Sequence, residues 1–280
     1  MSSDLVTIDI NNGIADVRLN REEKYNALSQ DMFDAIIDAG QSLASADDVS
    51  AVVLSGNGRG FCAGLDMASF ASMSDGSRQS QSGTASLLEK DERPENRAQR
   101  PALVWKQLPM PVIASLHGVV FGGGCQIALG ADMRIAAPDM KMSIMEIKWG
   151  LVPDMSITQT LRDLMPMDVA KELTFTGRIL NGEQAKAVGL VTRVADDPFA
   201  AAMALAEEIA GKSPDAVRAG KALYEQAWHA DARTGLELEA SLQAGLIGST
   251  NQIEAVKANF EKRPPSFAPA SSTHLSLIHI

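Results

Sequence analysis

With 280 residues, 45% of them hydrophobic and 21% charged, the chain has ordinary globular composition and enough length to bury a large core. Its formal charge of −10, from 35 acidic and 25 basic residues, argues against a general nucleic-acid or anionic-membrane binder, because both surfaces would repel it at long range. No apolar run approaches the ~20 residues of a membrane span. The opening MSSDLVTIDI has neither the basic start nor the apolar run of a signal peptide, so a cytoplasmic location is the default expectation. Cys62 and Cys125 form no CxxC pair and read as buried free thiols.

In chain order, Val6, Ile8 and Ile10 alternate with polar residues, Asn11-Asn12-Gly13 supplies a turn, and Val17 and Leu19 continue beyond it, which predicts a hairpin. Ser29 caps a predicted helix whose apolar stripe is Met32, Phe33, Ile36, Ile37, Gly40 and Leu43. Residues 51–54 form a short buried strand, and strands at 112–114 and 133–137 bracket a helix near 125–129, so the class is α/β. Ser, Gly and Gln crowd 69–86 and charges crowd 89–100, so 68–100 is expected to be a mobile insertion leading to a helix. After a last strand at 190–194, residues 198–211, 214–230, 234–247 and 250–262 read as helices, with Ser213 and Ser249 as start signals. This divides the chain into a core (1–195), a helical C-terminal assembly subdomain (196–263) and an expected disordered tail (264–280). The apolar end of that tail, 275–280, is either native or appended sequence and is given no functional weight.

Two glycine-bearing segments follow predicted strands: GNGRGFCAGLD (56–66) and HGVVFGGGCQ (117–126). Neither has the GxGxxG spacing of a dinucleotide site or the GK[ST] ending of a P-loop. They predict turns where bare backbone approaches something closely, and the second opens a helix, where unpaired N–H groups suit a developing negative charge.

The pattern resembles the crotonase superfamily, the enoyl-CoA hydratase/isomerase family. The resemblance is carried by NREEKYNALS (20–29), VVLSGNGRGFCAGLD (52–66), MPVIASLHGVVFGGGCQIALGADMRIAA (110–137), KMSIMEIKWGLVPD (141–154) and ELTFTGRILNGEQAKAVGLVTRVA (172–195), in the family's order. It implies a spiral of β-β-α units with two roughly perpendicular sheets, and a homotrimer or dimer of trimers. It also implies an acyl-CoA thioester as substrate, with no cofactor beyond the coenzyme A that the substrate carries. By position, the backbone N–H groups of Leu65 and Gly123 form the implied oxyanion hole for an enolate-like oxygen. Lys24, Asn26, Ala27, Leu28, Ala63, Gly64 and Asp66 are the implied coenzyme A contacts, largely through main chain.

The acids set the reaction. The family's hydratases carry two glutamates; here the first position is Gln126 and the second is Glu146. An amide cannot accept the proton that a second carboxylate would take. Glu146 alone therefore resembles the isomerases, with Glu146 as principal base and acid and Gln126 orienting substrate or water. Asp154, eight residues on, resembles the second acid of dienoyl-CoA isomerases or the nucleophile of chlorobenzoyl-CoA dehalogenases; otherwise it caps a helix opening near Ser156. His117 and Ser115 invite a nucleophile–base reading, but no GxSxG elbow accompanies them, and His117 is expected to be structural. Met140, Met142 and Met145 are expected in packing or the acyl pocket, and no His/Asp cluster suggests a metal site. The expected function is enoyl-CoA hydratase/isomerase chemistry with a lean to double-bond isomerisation. The alternatives are a non-catalytic acyl-CoA binder, or a hydrolase or dehalogenase using Asp154.

Overall fold

The computed structural model describes residues 4–74, 87–88 and 93–271. Strands β1 (Val6–Asn11) and β2 (Ile14–Leu19) pair antiparallel with Asn11 opposite Ile14. Asn12 and Gly13 close the turn with φ of 52° and 77°, the left-handed pair that a tight hairpin of this hand requires. Only Val6 of β1 is buried, because this strand forms an edge of the sheet; Ile8 and Ile10 face out.

Helix α1 (Gln30–Ala44) starts where expected: the Ser29 hydroxyl accepts from the Met32 N–H at 3.2 Å, and every residue of the predicted stripe is buried. Gly40 lies on that stripe because a Cβ there would stand 2.3 Å from the Val104 side chain on α3 (Arg100–Lys106), which packs directly on the α1 backbone. Strands β3 (Ala51–Gly56), β4 (Val112–Leu116), β6 (Met133–Ala136) and β8 (Arg193–Val194) extend the sheet in the order β1-β2-β3-β4-β6-β8, parallel from β2 onward. A second sheet pairs β5 (Val119–Phe121) with β7 (Lys141–Ser143). The remaining helices are α2 (Met67–Ser74), α4 (Gly123–Leu129), α5 (Ile157–Thr160), α6 (Met167–Thr176), α7 (Gly182–Ala187), α8 (Pro198–Ala210), α9 (Pro214–Ala227), α10 (Ala232–Leu246) and α11 (Thr250–Glu261).

Both faces of the central strands β3 and β4 are covered, so these two are apolar almost throughout rather than alternating. Val52 and Leu54 of β3 face the main core with α1 and α3, while Ala51 and Val53 face a second core built with Ala202 and Ala206 of α8. Helix α8 therefore packs on the sheet, placing it on the core side of the division expected at 195. The helical C-terminal region that stands apart from the sheet begins with α9.

Two further expectations are corrected. The insertion expected from residue 68 opens instead as helix α2, started by Asp66, whose carboxylate accepts from the Ala68 N–H; residues 75–86 and 89–92 lie outside the described residues. The tail is tied down over 264–271: the Ser266, Ala268, Ala270 and Ser271 N–H groups donate to Glu254, Asn251, the Asp47 carbonyl and Asp215. Residues 272–280 lie outside the described residues. Among the described residues no helix is long and apolar enough to cross a membrane.

Candidate active site

The site lies beyond the carboxyl ends of β3 and β4, where parallel sheets present their connecting loops. Its frame is built from three stretches. Tyr25 and Asn26 both adopt left-handed backbone, with φ of 52° and 56°. The fully buried Asn26 amide donates to the carbonyls of Asn57, Gly60 and Phe61 and accepts from the Arg21 N–H. The Ala63 N–H donates to Tyr25, Leu28 to Gly64, and Asp66 to Leu28. Arg21 closes the corner with a 2.5 Å bond to Asp66 and a second to the Ala27 carbonyl. Hydrogen bonds from the Ala68 N–H and Arg21 hold the Asp66 carboxyl below its ordinary value.

Residues 61–62 are stitched in turn to 117–121: Phe61 donates to His117, Cys62 to Val119 and Phe121 to Cys62. Gly64, at φ 85°, allows the closest approach. A Cβ there would meet the Phe121 carbonyl at 2.7 Å and stand 3.5 Å from the Gly123 nitrogen. Gly122 (φ 52°, ψ −120°) donates to Ser143 and turns the chain into α4, so Gly123 is the first helical residue. The structure gives neither the Leu65 N–H nor the Gly123 N–H an acceptor among the described residues. Leu28 and the Met155 sulfur wall Gly123, making its surroundings apolar.

The acids converge on this turn. Register Phe121↔Ser143 between β5 and β7 carries the chain to a 3-10 turn, Glu146–Trp149, and sets Glu146 beside Gly122. Gln126, one turn into α4 and fully buried, donates from Nε2 to Glu146 Oε1 at 2.6 Å, and its Oε1 accepts from the Met155 N–H at 2.8 Å. Glu146 Oε2 is buried and has no partner within hydrogen-bond geometry among the described residues, although the Glu146 and Met145 N–H groups lie near enough to the carboxyl to oppose the rise in its pKa. Burial raises the Glu146 pKa above its ordinary value, the charge of Asp154 adds to this, and the Gln126 bond opposes it. Asp154 presents an exposed face, yet lost hydration raises its pKa too.

Asp154 caps no helix: α5 follows Ser156, itself left-handed, with no side-chain cap. The His117 ring bonds the Gly58 carbonyl at 3.0 Å, a structural contact. Met140 and Met142 lie in the core. Both cysteines are buried and free; burial pushes the Cys62 thiol up to about 12 and Cys125 higher still, so neither is a ready nucleophile. Among the described residues no group of three or more His, Cys, Asp or Glu is placed to hold a metal ion.

A turn that brings two acceptor-less amides together beside one clamped carboxylate suits the capture of an enolate oxygen next to a proton acceptor. The sequence profile of the enoyl-CoA hydratase/isomerase family matches residues 9–270. The chain belongs to this family. Mouse mitochondrial methylglutaconyl-CoA hydratase is 33% identical over 264 residues, which span 92% of this chain and 80% of the mouse protein. A peroxisomal Delta(3,5)-Delta(2,4)-dienoyl-CoA isomerase from Arabidopsis thaliana is 34% identical over 255 residues, spanning 89% and 91%. The crystal structure of an enoyl-CoA hydratase from Bacillus anthracis superposes with a TM-score of 0.84 at 30% identity, over 94% of this chain and 98% of that one. The α/β fold is thus the crotonase fold, and the protein is an enzyme of hydratase/isomerase type acting on acyl-CoA thioesters.

Within this crotonase the structure brings the expected residues together around one turn and faces the Gln126 side chain inward. Leu65, Gly123, Glu146 and Asp154 surround one turn, and the Lys24–Leu28 and Ala63–Asp66 backbones lie side by side. Gln126 was expected to orient substrate or water, but its bonds to Glu146 and Met155 and its complete burial turn it inward. Asn26 and Asp66 likewise use their side chains within the frame, leaving only backbone for a ligand. Met155 was missed. Its only sequence signal is that it directly follows Asp154.

Proposed function

We propose that this enzyme isomerises double bonds of enoyl-CoA or dienoyl-CoA thioesters through two carboxyl groups, Glu146 and Asp154. One carboxylate takes a proton from the α-carbon and its C–H electron pair flows into the thioester, forming an enolate. The Leu65 and Gly123 N–H groups hold the enolate oxygen; such a donor contributes about 2.7–4 kcal/mol to the transition state. The other carboxyl then delivers a proton to the γ-carbon, or to the ε-carbon of the longer trienolate formed from a 3,5-diene, and the double bonds end in conjugation with the carbonyl. One group gains the proton the other loses, so the site resets by a single transfer between them. The carrying observation is that Asp154 stands close enough to raise the Glu146 pKa while capping no helix, whereas Gln126 is committed elsewhere. Burial raises both carboxyl pKa values, which favours the protonated form that a proton donor needs. The likeness to the Arabidopsis dienoyl-CoA isomerase supports the same reading.

The reading includes coenzyme A only as part of the substrate, bound along the Lys24–Leu28 and Ala63–Asp66 backbones, and a homotrimer or dimer of trimers. Large exposed side chains on the C-terminal helices, Tyr224, Trp228 and Phe260 among them, favour an assembled state. The test is turnover of trans-2-enoyl-, cis-3-enoyl- and 3,5-dienoyl-CoA with the products separated by chromatography. Isomerised products are expected to dominate. Efficient conversion of trans-2-enoyl-CoA to 3-hydroxyacyl-CoA, the outcome the mouse relative's name suggests, would overturn the proposal.

A further inference from the structure

We infer that Gln126 is a positioning residue: one buried amide ties the Glu146 carboxylate to the backbone of Met155, selecting which carboxylate oxygen works and setting its distance from Asp154. This rests on Glu146 being the base. The amide joins three separate elements, namely helix α4, the 3-10 turn of Glu146, and the loop in which Met155 follows Asp154. An amide suits the place because its two ends differ. The oxygen must face the Met155 N–H, so the nitrogen must face the carboxylate, and a single orientation satisfies both.

Clamping Oε1 leaves Oε2, buried and without a partner, as the oxygen able to take a proton from carbon. Both polar ends of the Gln126 amide are already committed, to Glu146 and to Met155, so it works through Glu146 rather than on the substrate. A glutamate in its place would keep the Met155 bond but set two carboxylate oxygens 2.6 Å apart, the present Gln126–Glu146 spacing, which requires a proton between them. An apolar residue of similar shape would leave the Met155 N–H unpaired and Glu146 free to turn.

The experiment compares Gln126→Met, Gln126→Glu and Glu146→Gln in the full chain, on whichever substrate wild type turns over best. For Gln126→Met, kcat is expected to fall at least ~10-fold with KM within about threefold, since a misplaced base costs the chemical step rather than binding. For Gln126→Glu, which preserves shape, isomerisation is expected to slow and the ratio of 3-hydroxyacyl-CoA to isomerised product to rise. If Glu146→Gln is inactive while Gln126→Met keeps its kcat, the clamp is wrong and the base assignment stands. A raised KM at unchanged kcat would place Gln126 against substrate and overturn the inference. If Gln126→Met does not fold, Gln126→Glu decides, and unchanged rate and ratio would overturn it. An active Glu146→Gln would remove the underlying reading instead.

Discussion

Two buried polar side chains, 100 positions apart, are used in opposite ways. Asn26 and Gln126 are both fully inaccessible. Around Asn26 both ends of the amide are paired with backbone. Gln126 instead holds a carboxylate whose other oxygen is buried and unpaired. Buried polar atoms are normally satisfied, because an unpaired one costs roughly 1–3 kcal/mol. The Asn26 corner therefore reads as framework. The Gln126–Glu146 corner holds an unmet demand at the place where the proposed mechanism moves a proton.

The strongest way to break this comparison is Glu146→Gln. Turnover should fall at least ~100-fold, the lower end for a general acid–base. Stability should move the other way. The raised pKa means that the folded state disfavours the ionised carboxyl. That penalty is absent below the unfolded-state value and appears as pH rises through the folded one. Glu146→Gln should thus melt above wild type at neutral pH and lose this advantage in acid, as calorimetry at two pH values would show. Equal melting at both would mean that Glu146 is not held against its ionisation.

Asn26→Ala should do the reverse. It strands several carbonyls and the Arg21 N–H and puts alanine in left-handed backbone, so a loss of at least ~2 kcal/mol is expected in urea unfolding. The protein that remains folded should keep kcat near wild type, with any loss appearing in KM, because residues 24–28 are the proposed coenzyme A seat. Loss of kcat without loss of stability would make Asn26 part of the chemistry.

Asp154→Asn is expected to slow dienoyl-CoA isomerisation by about tenfold or more, with smaller losses on simple enoyl substrates. Its melting temperature should change little, because Asp154 caps nothing. Equal rates on all substrates would retire the second acid. The smallest effect is expected from removing residues from 264 onward. Their hydrogen bonds to Glu254, Asn251, Asp47 and Asp215 should make the truncated enzyme melt a few degrees lower at unchanged kcat. An unchanged melting temperature would show that these bonds contribute nothing.

Local chemistry explains what was legible in the sequence. Asn12-Gly13 specified a hairpin, Ser29 and the 3.6-residue stripe specified α1, and Ser213 and Ser249 opened α9 and α11 as expected, each from neighbours within a few positions. Helix α2 was missed because its Ser- and Ala-rich segment carries little apolar periodicity, and its start depends on the Asp66 cap. The membership of α8 in the core was also missed. A helical pattern shows which face is apolar, not which sheet that face will meet.

By itself the sequence determined the α/β class, the glycine turns and the presence of Glu146, Asp154 and an amide at 126, because residue type and spacing suffice for these. Tertiary structure alone decided that Gln126 faces Glu146 and Met155 rather than substrate, that Asp66 is spent on Arg21, and that residues 264–271 are held. The physical reason is that a polar group's role depends on which partners satisfy it. Those partners lie 20, 29 and 45 positions away, brought within hydrogen-bonding distance only by the pairing of strands and the packing of helices.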